Sequence, residues 1–346
     1  MSRRAGATRW RTGAGFALAL WLGFGRMASA AAPTVIDLNE PAPAGGPEDA
    51  ALRHFSDAVA AGTHGEVIIH PHLNGALGNP QTSVEDMMFG DLNMFSSPLT
   101  NYLPLMIDEM SGLETPFLIP SVDATRKYLA SPLLDEARAK VLDNRRVRYL
   151  EMTAIRRPFH VIASRRPLET IDDLAGLKLT TDRPMTKSAV RLWAALGVVY
   201  VPPMPAPRLK AALRSGQVDA VLLSDVDTVS RDGIEQAAPY LAGVDDCPRV
   251  WEISVNETLW RRLSPADQAV LHDAATESAG VFEKVADERF KRQLADLTAR
   301  THKPIVTLDA DAARRRMLAT YDALVAEGTL NPRVLKTAND IAAAPR

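Results

Sequence analysis

Two histidines, His70 and His72, are spaced as two metal ligands on one strand would be. Side chains at positions i and i+2 of a β-strand point to the same face, so both imidazoles could reach one ion. A zinc site needs three or four protein ligands, and no acid or cysteine near this segment completes such a set. We therefore expect neither a metal site here nor a cofactor elsewhere.

Nucleophilic catalysis has equally little support in the sequence. Neither Gly-x-Ser-x-Gly nor His-Glu-x-x-His occurs, and no cysteine has a recognisable histidine partner. The single cysteine, Cys247, follows Asp245 and Asp246, whose negative charges disfavour a thiolate. The sequence therefore predicts a binding protein and not an enzyme. A secreted enzyme built on a binding-protein scaffold is the alternative from another functional class.

The N-terminus has the layout of a secretory signal peptide. An uncharged run over residues 12–25 is too short to span a bilayer of about 30 Å. It is followed by Ala28-Ser29-Ala30, which places small residues where a signal peptidase reads them. The basic residues ahead of the run are Arg3, Arg4, Arg9 and Arg11. We expect residues 1–30 to be removed, with cleavage after Ala30, and the mature protein to be periplasmic without stable membrane insertion.

The charge of the mature chain indicates which partners are not expected, and its length predicts the number of domains. Without the five arginines of residues 1–30, 35 basic residues face 42 acidic ones, a formal charge of −7. Nucleic acid and anionic membrane surfaces are therefore not expected partners. One cysteine permits no internal disulfide, so the core must supply the stability. At about 150 residues per domain, the length predicts two lobes, and we expect a monomer.

Strand and helix patterns alternate along the chain, which predicts a mostly parallel α/β sheet in each lobe. Pro80 and Gly90 are placed to begin and end one of these helices. The first set of predicted elements covers residues 34–38, 48–61, 66–70, 80–89 and 92–96. The second covers residues 148–153, 159–164, 177–181, 185–196, 198–201, 206–215 and 218–223.

A long helix is predicted after Leu263. Ser264 and Pro265 provide an N-cap and a proline at the first helical position, and no further proline occurs before Pro304. A helix of this length, roughly 50 Å at about 1.5 Å per residue, exceeds what one lobe needs and is expected to span both. Its apolar stripe, which slips between Val285 and Phe290, comprises Leu271, Ala274, Val281, Val285, Phe290, Leu294 and Leu297.

Short motifs in a fixed order give the chain a resemblance to a known family. They are Asn74-Gly75-Ala76-Leu77-Gly78, Gly90-Asp91-Leu92-Asn93-Met94, Pro116-Phe117-Leu118, Arg166-Pro167-Leu168, Asp173-Leu174-Ala175-Gly176-Leu177-Lys178-Leu179, Ala195-Leu196-Gly197 and Gly216-Gln217-Val218-Asp219. Together they resemble the solute receptors of tripartite ATP-independent periplasmic (TRAP) transporters, the family of the dicarboxylate-binding component.

This resemblance implies an α/β fold of two lobes, a type II-like periplasmic clamp with a hinge. A small organic solute would bind between the lobes and pass to TRAP membrane permease subunits. We assign residues 31–154 to lobe I, with residues 225–263 returning to it in part, and residues 155–224 to lobe II. Residues 264–300 form the long helix that spans both lobes, and residues 301–346 pack on the lobes and end in a frayed tail. A receptor that reports to a membrane sensor kinase is the alternative role.

The chain departs from the family at the two arginines that the resemblance implies for binding a substrate carboxylate. One position is Thr180, followed by Thr181, and the other is His160, or Phe159 if the register shifts by one. Threonine supplies neither the charge nor the reach of an arginine fork. Either a displaced arginine restores a carboxylate site, or the ligand is neutral, amphipathic or more apolar. The displaced arginine would be Arg183, Arg157 or Arg156.

Other candidates follow strands or carry aromatic faces. Ser96 and Ser97, with Phe95, come at the end of the third strand, where an open α/β sheet presents groups to a ligand. Phe117 and Trp251 are core residues by default, but an aromatic face in the cleft would suit an apolar ligand. Asp225 is assigned to a helix cap rather than to the ligand. The predicted ligand-binding set is Thr180, Thr181, His160, Arg183, Ser96, Phe117, Arg157, Leu223 and Trp251.

Overall fold

A computed structural model describes residues 32–99, 107–157, 160–224 and 226–344, except for the side chains of Met152 and Ala206. The predicted signal peptide, Phe159 and Asp225 lie outside the described residues. No helix in the described ranges combines the length and the apolar character needed to cross a membrane.

The described residues alternate between strands and helices. The strands are β1 (Thr34–Asn39), β2 (Val67–His72), β3 (Met94–Pro98), β4 (Val147–Arg156), β5 (His160–Ser164), β6 (Lys178–Thr181), β7 (Val199–Tyr200), β8 (Ala220–Leu223), β9 (Tyr240–Val244), β10 (Arg249–Asn256) and β11 (Ile305–Thr307). The helices are α1 (Pro47–Gly62), α2 (Pro80–Phe89), α3 (Val122–Leu129), α4 (Pro132–Arg145), α5 (Lys187–Ala195), α6 (Ala206–Ser215), α7 (Val226–Asp232), α8 (Glu257–Trp260), α9 (Pro265–Thr301), α10 (Ala310–Ala326) and α11 (Pro332–Ala343).

Two sheets organise these elements. The first has the strand order β2-β1-β3-β10-β4 and the second the order β11-β9-β5-β8-β6-β7. Both are mixed, which corrects the expectation of mostly parallel sheets. In the first, β10 runs antiparallel to both of its neighbours, and in the second β5 does. Each of these strands follows a segment that crosses from the other sheet, so its direction is set by where that segment enters.

The long helix α9 confirms the prediction made from Ser264 and Pro265. It has 37 residues, about 55 Å at 1.5 Å per residue, and the Ser264 Oγ accepts a hydrogen bond from the Asp267 N–H at 3.1 Å. Its N-terminal half, as far as Ala286, packs in the core of the first sheet with α1, and Phe290, Leu294 and Leu297 pack in the core of the second. The slip in the apolar stripe therefore lies where the helix passes from one core to the other.

The stripe itself differs from the predicted one. Val281 and Val285 are only half-buried, and Phe282 occupies the buried position between them. Small residues, among them Ala275, Ser278 and Ala279, complete the buried face, because they allow α1 to approach closely. The Phe282 ring stacks on Trp251 of β10 with a centroid distance of 5.1 Å.

Candidate ligand-binding site

A pocket of about 200 Å³ opens at one edge of the second sheet. β6 and β8 run parallel and end there, and β5, which is antiparallel to β8, begins there. Open α/β sheets present ligand-binding loops at the carboxyl ends of their parallel strands, so the position is the expected one. The lining residues come from the ends of β5, β6 and β8, from α5, and from three segments: residues 114–116, residues 182–186 and residues 246–249.

A hydrogen bond between His160 and Asp246 lies in the wall of the pocket. The imidazole of His160, at the start of β5, donates from Nδ1 to Oδ1 of Asp246, in the loop after β9. Asp246 is 2% exposed, and its backbone carbonyl accepts a hydrogen bond from the Phe117 N–H at 2.5 Å. Asp246 therefore fixes the orientation of the imidazole and also connects this wall to the loop that carries Phe117.

Two sets of hydrogen bonds anchor the start of the loop after β6. The Thr181 hydroxyl donates to the backbone carbonyl of Arg183. The Asp182 carboxylate accepts hydrogen bonds from the backbone N–H of Ser224, at 3.2 Å, and from its hydroxyl, at 2.8 Å. Arg183 is exposed, lines the pocket, and its guanidinium makes no hydrogen bond or ion pair with a described residue. The loop thus brings to the pocket an arginine without an ion-pair partner among the described residues.

Glu114 adds a carboxyl group to the opposite wall. The residue as a whole is exposed, yet the protein atoms around its carboxyl desolvate that group and raise its pKa above the usual range. The charges of Arg249, His160 and Arg183 act in the other direction and lower that pKa. Three cationic or potentially cationic groups therefore lie within electrostatic reach of one carboxyl.

The remaining wall is apolar and rigid. Trp193 of α5 is buried, and it lines the pocket together with Met185 and Leu222. The ring of Phe117 contacts Trp193 edge to face, with centroids 5.2 Å apart. Phe117 is held at φ 57°, a backbone region uncommon for a bulky residue, by the hydrogen bond from its N–H to Asp246. One side of the pocket is thus charged and the other aromatic and aliphatic.

The model of the family described as bacterial extracellular solute-binding protein, family 7, matches residues 38–327. The chain belongs to this family.

Other members are similar to the chain over most of its length. A solute-binding protein of Verminephrobacter eiseniae is 29% identical over 288 residues, which cover 82% of each chain. The 2,3-diketo-L-gulonate-binding periplasmic protein of Escherichia coli is 24% identical over 265 residues, covering 76% of this chain and 78% of that one.

The crystal structure of a TRAP periplasmic solute-binding protein from Ochrobactrum anthropi matches with a TM-score of 0.75 at 21% identity, and covers 90% of this chain and 94% of that one. The predicted α/β clamp fold and the resemblance to TRAP receptors are thereby confirmed, and the relatives are solute-binding proteins, not enzymes. The lobe boundaries stay a prediction.

For this member of the family, the structure brings three of the predicted site residues together: His160, Thr181 and Arg183 line the pocket. Thr180 does not, although it was placed at the family arginine position. Successive side chains of a strand point to opposite faces, and Thr180 is fully buried on the far face, where its hydroxyl donates to the Pro202 carbonyl at 3.1 Å. Leu223, in register with Val161, lies on that face as well.

Ser96 and Trp251 lie in the first sheet and not at the pocket. Both are buried and both donate to the same oxygen of Glu40, Oε2: the Ser96 hydroxyl at 2.6 Å and the Trp251 indole N–H at 3.1 Å. Their polar groups are therefore engaged by a buried carboxyl that follows β1. Ser97 and Phe95 are buried on the same strand.

The other predicted arginines turn away from the pocket. The Arg157 guanidinium pairs with Asp245 at 2.5 Å, in a separate cavity between the second sheet and α9. Arg156 lies 3.6 Å from Asp227 and 4.0 Å from Glu48. Phe117 is fully buried and supports Trp193 from behind without lining the pocket. Of the three candidate replacements for the family arginines, only Arg183 reaches the pocket.

Sequence reasoning missed Asp246, Glu114, Arg249 and Trp193. Asp246 had been considered only as a neighbour of Cys247, although two consecutive acids directly before Cys247 and Pro248 suggest a polar loop.

Burial raises the pKa of the Cys247 thiol well above its usual range, and the charges of Asp246 and Glu114 add to this effect.

The described residues contain no group of three His, Cys, Asp or Glu side chains that could hold a metal ion. The His72 imidazole instead pairs with Asp37 of β1 at 2.8 Å.

Proposed function

We propose that this chain is a periplasmic receptor that captures a small organic acid with an apolar body and delivers it to a TRAP permease. The observation that carries the proposal is that Arg183, with no ion-pair partner among the described residues, lines the same pocket as Trp193. A guanidinium binds a carboxylate with two parallel hydrogen bonds, and an aromatic wall favours an apolar body.

The acids in the pocket do not exclude an anionic ligand. Asp246 is paired with His160, and Asp182 accepts hydrogen bonds from Ser224. Burial raises the pKa of Glu114, but the charges of Arg249, His160 and Arg183 lower it, so this carboxyl lies among positive or potentially positive groups. Arg183 can therefore restore the carboxylate site that the threonine at position 180 had put in doubt. The Escherichia coli relative is named for a sugar acid, which agrees with an acidic ligand.

The size of the pocket limits the ligand. About 200 Å³ corresponds to roughly seven water-sized groups at about 30 Å³ each. A branched or cyclic monocarboxylate of five to seven carbons fits this volume in order of magnitude. We infer that ligand capture closes the clamp by a hinge motion at the segments that link the two sheets. His160 and Asp246 lie at these segments. Such closure buries the ligand and presents one composite surface to the permease.

Isothermal titration calorimetry on the mature protein tests the ligand class. The panel pairs 3-methylbutanoate and benzoate with their neutral amides, and includes D-gluconate as a polar acid. We expect the two apolar acids to bind most tightly. Loss of charge-assisted hydrogen bonds in Arg183→Ala should cost about 1.5–3 kcal/mol, roughly a 10- to 150-fold loss of affinity.

Arg262→Ala, an exposed arginine outside the pocket, is the matched control and should bind as wild type does. If an amide binds as tightly as its acid, or if Arg183→Ala and the control behave alike, the acidic ligand class is wrong. Delivery is tested separately with the two membrane subunits in liposomes, where uptake of the bound acid should require this receptor.

A further inference from the structure

A second cavity, of about 310 Å³, lies between one face of the second sheet and the C-terminal half of α9. We call it the helix cavity. Its sheet wall is formed by Val161 and Leu241, and its helix wall by Phe290 and Leu294, with Ile305 of β11 at one side. These residues belong to the core between sheet and helix or pack against it, and charged residues line the rest of the cavity. It shares no lining residue with the ligand pocket.

One polar group in this wall lacks a partner. The Asp245 side chain is 6% exposed, and its Oδ2 pairs with Arg157 at 2.5 Å. Its other oxygen, Oδ1, is inaccessible to solvent and accepts no hydrogen bond from a described residue. Buried carboxylate oxygens normally accept hydrogen bonds, because an unmade bond leaves the loss of hydration uncompensated. Asp245 lines the cavity, so a turn of its carboxylate would present this acceptor to an occupant.

We propose that the helix cavity is a second small-molecule site, and that it takes a neutral amphipathic molecule with a hydroxyl donor. The hydroxyl would donate to Oδ1 of Asp245, and the apolar body would fill the space between Leu241 and Leu294. A volume of about 310 Å³ holds roughly ten water-sized groups, which sets the size of the body.

The charges around the cavity argue for a neutral ligand. Arg157 and Asp245 already form a pair, and α9 contributes one acid, Asp287, and one base, Lys291. The walls therefore carry two charges of each sign. An added carboxylate would face the negative charge of Asp245, and an added ammonium would add a positive charge next to Arg157. A hydroxyl satisfies the acceptor without changing this balance.

The position of Asp245 separates this site from the ligand pocket. Asp245 and Asp246 are consecutive in the segment that follows β9. Asp245 pairs with Arg157, which follows β4, and Asp246 with His160, which begins β5. The first pair lines the helix cavity and the second lines the ligand pocket. The second site therefore does not depend on the function proposed for the first.

Calorimetric titration of the mature protein with 3-phenyl-1-propanol tests the proposal. Its methyl ether keeps the oxygen and the body but has no donor, and 3-phenylpropanoate replaces the hydroxyl by a carboxylate. We expect one alcohol to bind per chain, and the ether and the acid to bind at least about tenfold more weakly. Leu294→Trp should fill the cavity and abolish binding of the alcohol. Leu318→Trp, at a position on α10 that is 42% exposed, is the matched control and should not.

Equal affinity for the alcohol and the ether would overturn the role of Asp245. Unchanged binding in Leu294→Trp, or an equal loss in Leu318→Trp, would overturn the location. Absence of alcohol binding at millimolar concentration would overturn the site itself. Circular dichroism checks that Leu294→Trp is folded, and Phe290→Trp fills the same space from the next turn of the helix if it is not.

Discussion

The buried carboxyl of Glu40 makes the stability of this protein depend on pH in a direction opposite to that of most acids. Glu40 accepts hydrogen bonds from Ser96, Trp251 and the Ala42 N–H, yet burial raises its pKa from 4.5 to about 7. The folded state therefore holds a proton that the unfolded chain releases between these two values. The associated stability is complete below pH 4.5 and is lost as the pH rises through 7.

The size of the effect follows from the shift. A change of about 2.5 pKa units, at about 1.36 kcal/mol each, corresponds to roughly 3 kcal/mol. Urea unfolding of wild type and Glu40→Gln between about pH 4.5 and pH 8 isolates it, because glutamine does not titrate. The free energy of unfolding of wild type, relative to the variant, should fall by about 3 kcal/mol over this range.

Glu252 also has a raised pKa, first because of burial and second because of the charge of Glu40. The contribution of burial is common to both proteins, whereas the coupling to Glu40 is part of the measured difference. Glu85→Gln, at an exposed position on α2, is the matched control and should follow wild type at every pH. The reasoning would be refuted if the difference in unfolding free energy between wild type and Glu40→Gln stayed constant with pH within about 0.5 kcal/mol. It would mean that the Glu40 carboxyl binds no additional proton in the folded state relative to the unfolded state.

Three further predictions concern packing and reactivity. Gly280 lies inside α9, where an added Cβ would meet only open space, so Gly280→Ala should stabilise the protein by about 0.5–1 kcal/mol in urea unfolding. Gly62→Ala should instead destabilise the protein in the same titration, because its Cβ would lie 2.6 Å from Val270 Cγ1. Phe282→Ala removes the ring stacked on the β10 tryptophan and should cost about 3–5 kcal/mol, and a cost below about 1 kcal/mol would contradict its place in the core. The Cys247 thiol, with its pKa raised by burial, should react with iodoacetamide at about pH 7.5 at least tenfold more slowly in the folded than in the urea-unfolded protein, and equal rates would contradict that burial.

The sequence by itself determined the elements whose ends carry local signals. α2 begins at Pro80 and ends before Gly90, which adopts φ 92° as a left-handed cap, and its predicted bounds agree with the structure. α9 begins at Pro265 after its Ser264 cap, as predicted. Such signals act within one or two turns of chain, so they need no knowledge of the rest of the molecule. The family was likewise indicated by the sequence alone, through short motifs and their order along the chain.

Only the tertiary structure decided which side chains meet. His160 and Asp246 are 86 residues apart, and they pair because β5 begins at the edge where β9 ends. Thr180 and Thr181 have the same side chain, but the pleat of β6 turns one to the core and the other to the pocket. The direction of a strand and the face of each of its residues are set by hydrogen bonds to neighbouring strands distant in sequence. That is why residue types alone indicated a binding protein, whereas the meeting of Arg183 and Trp193 in one pocket required the fold.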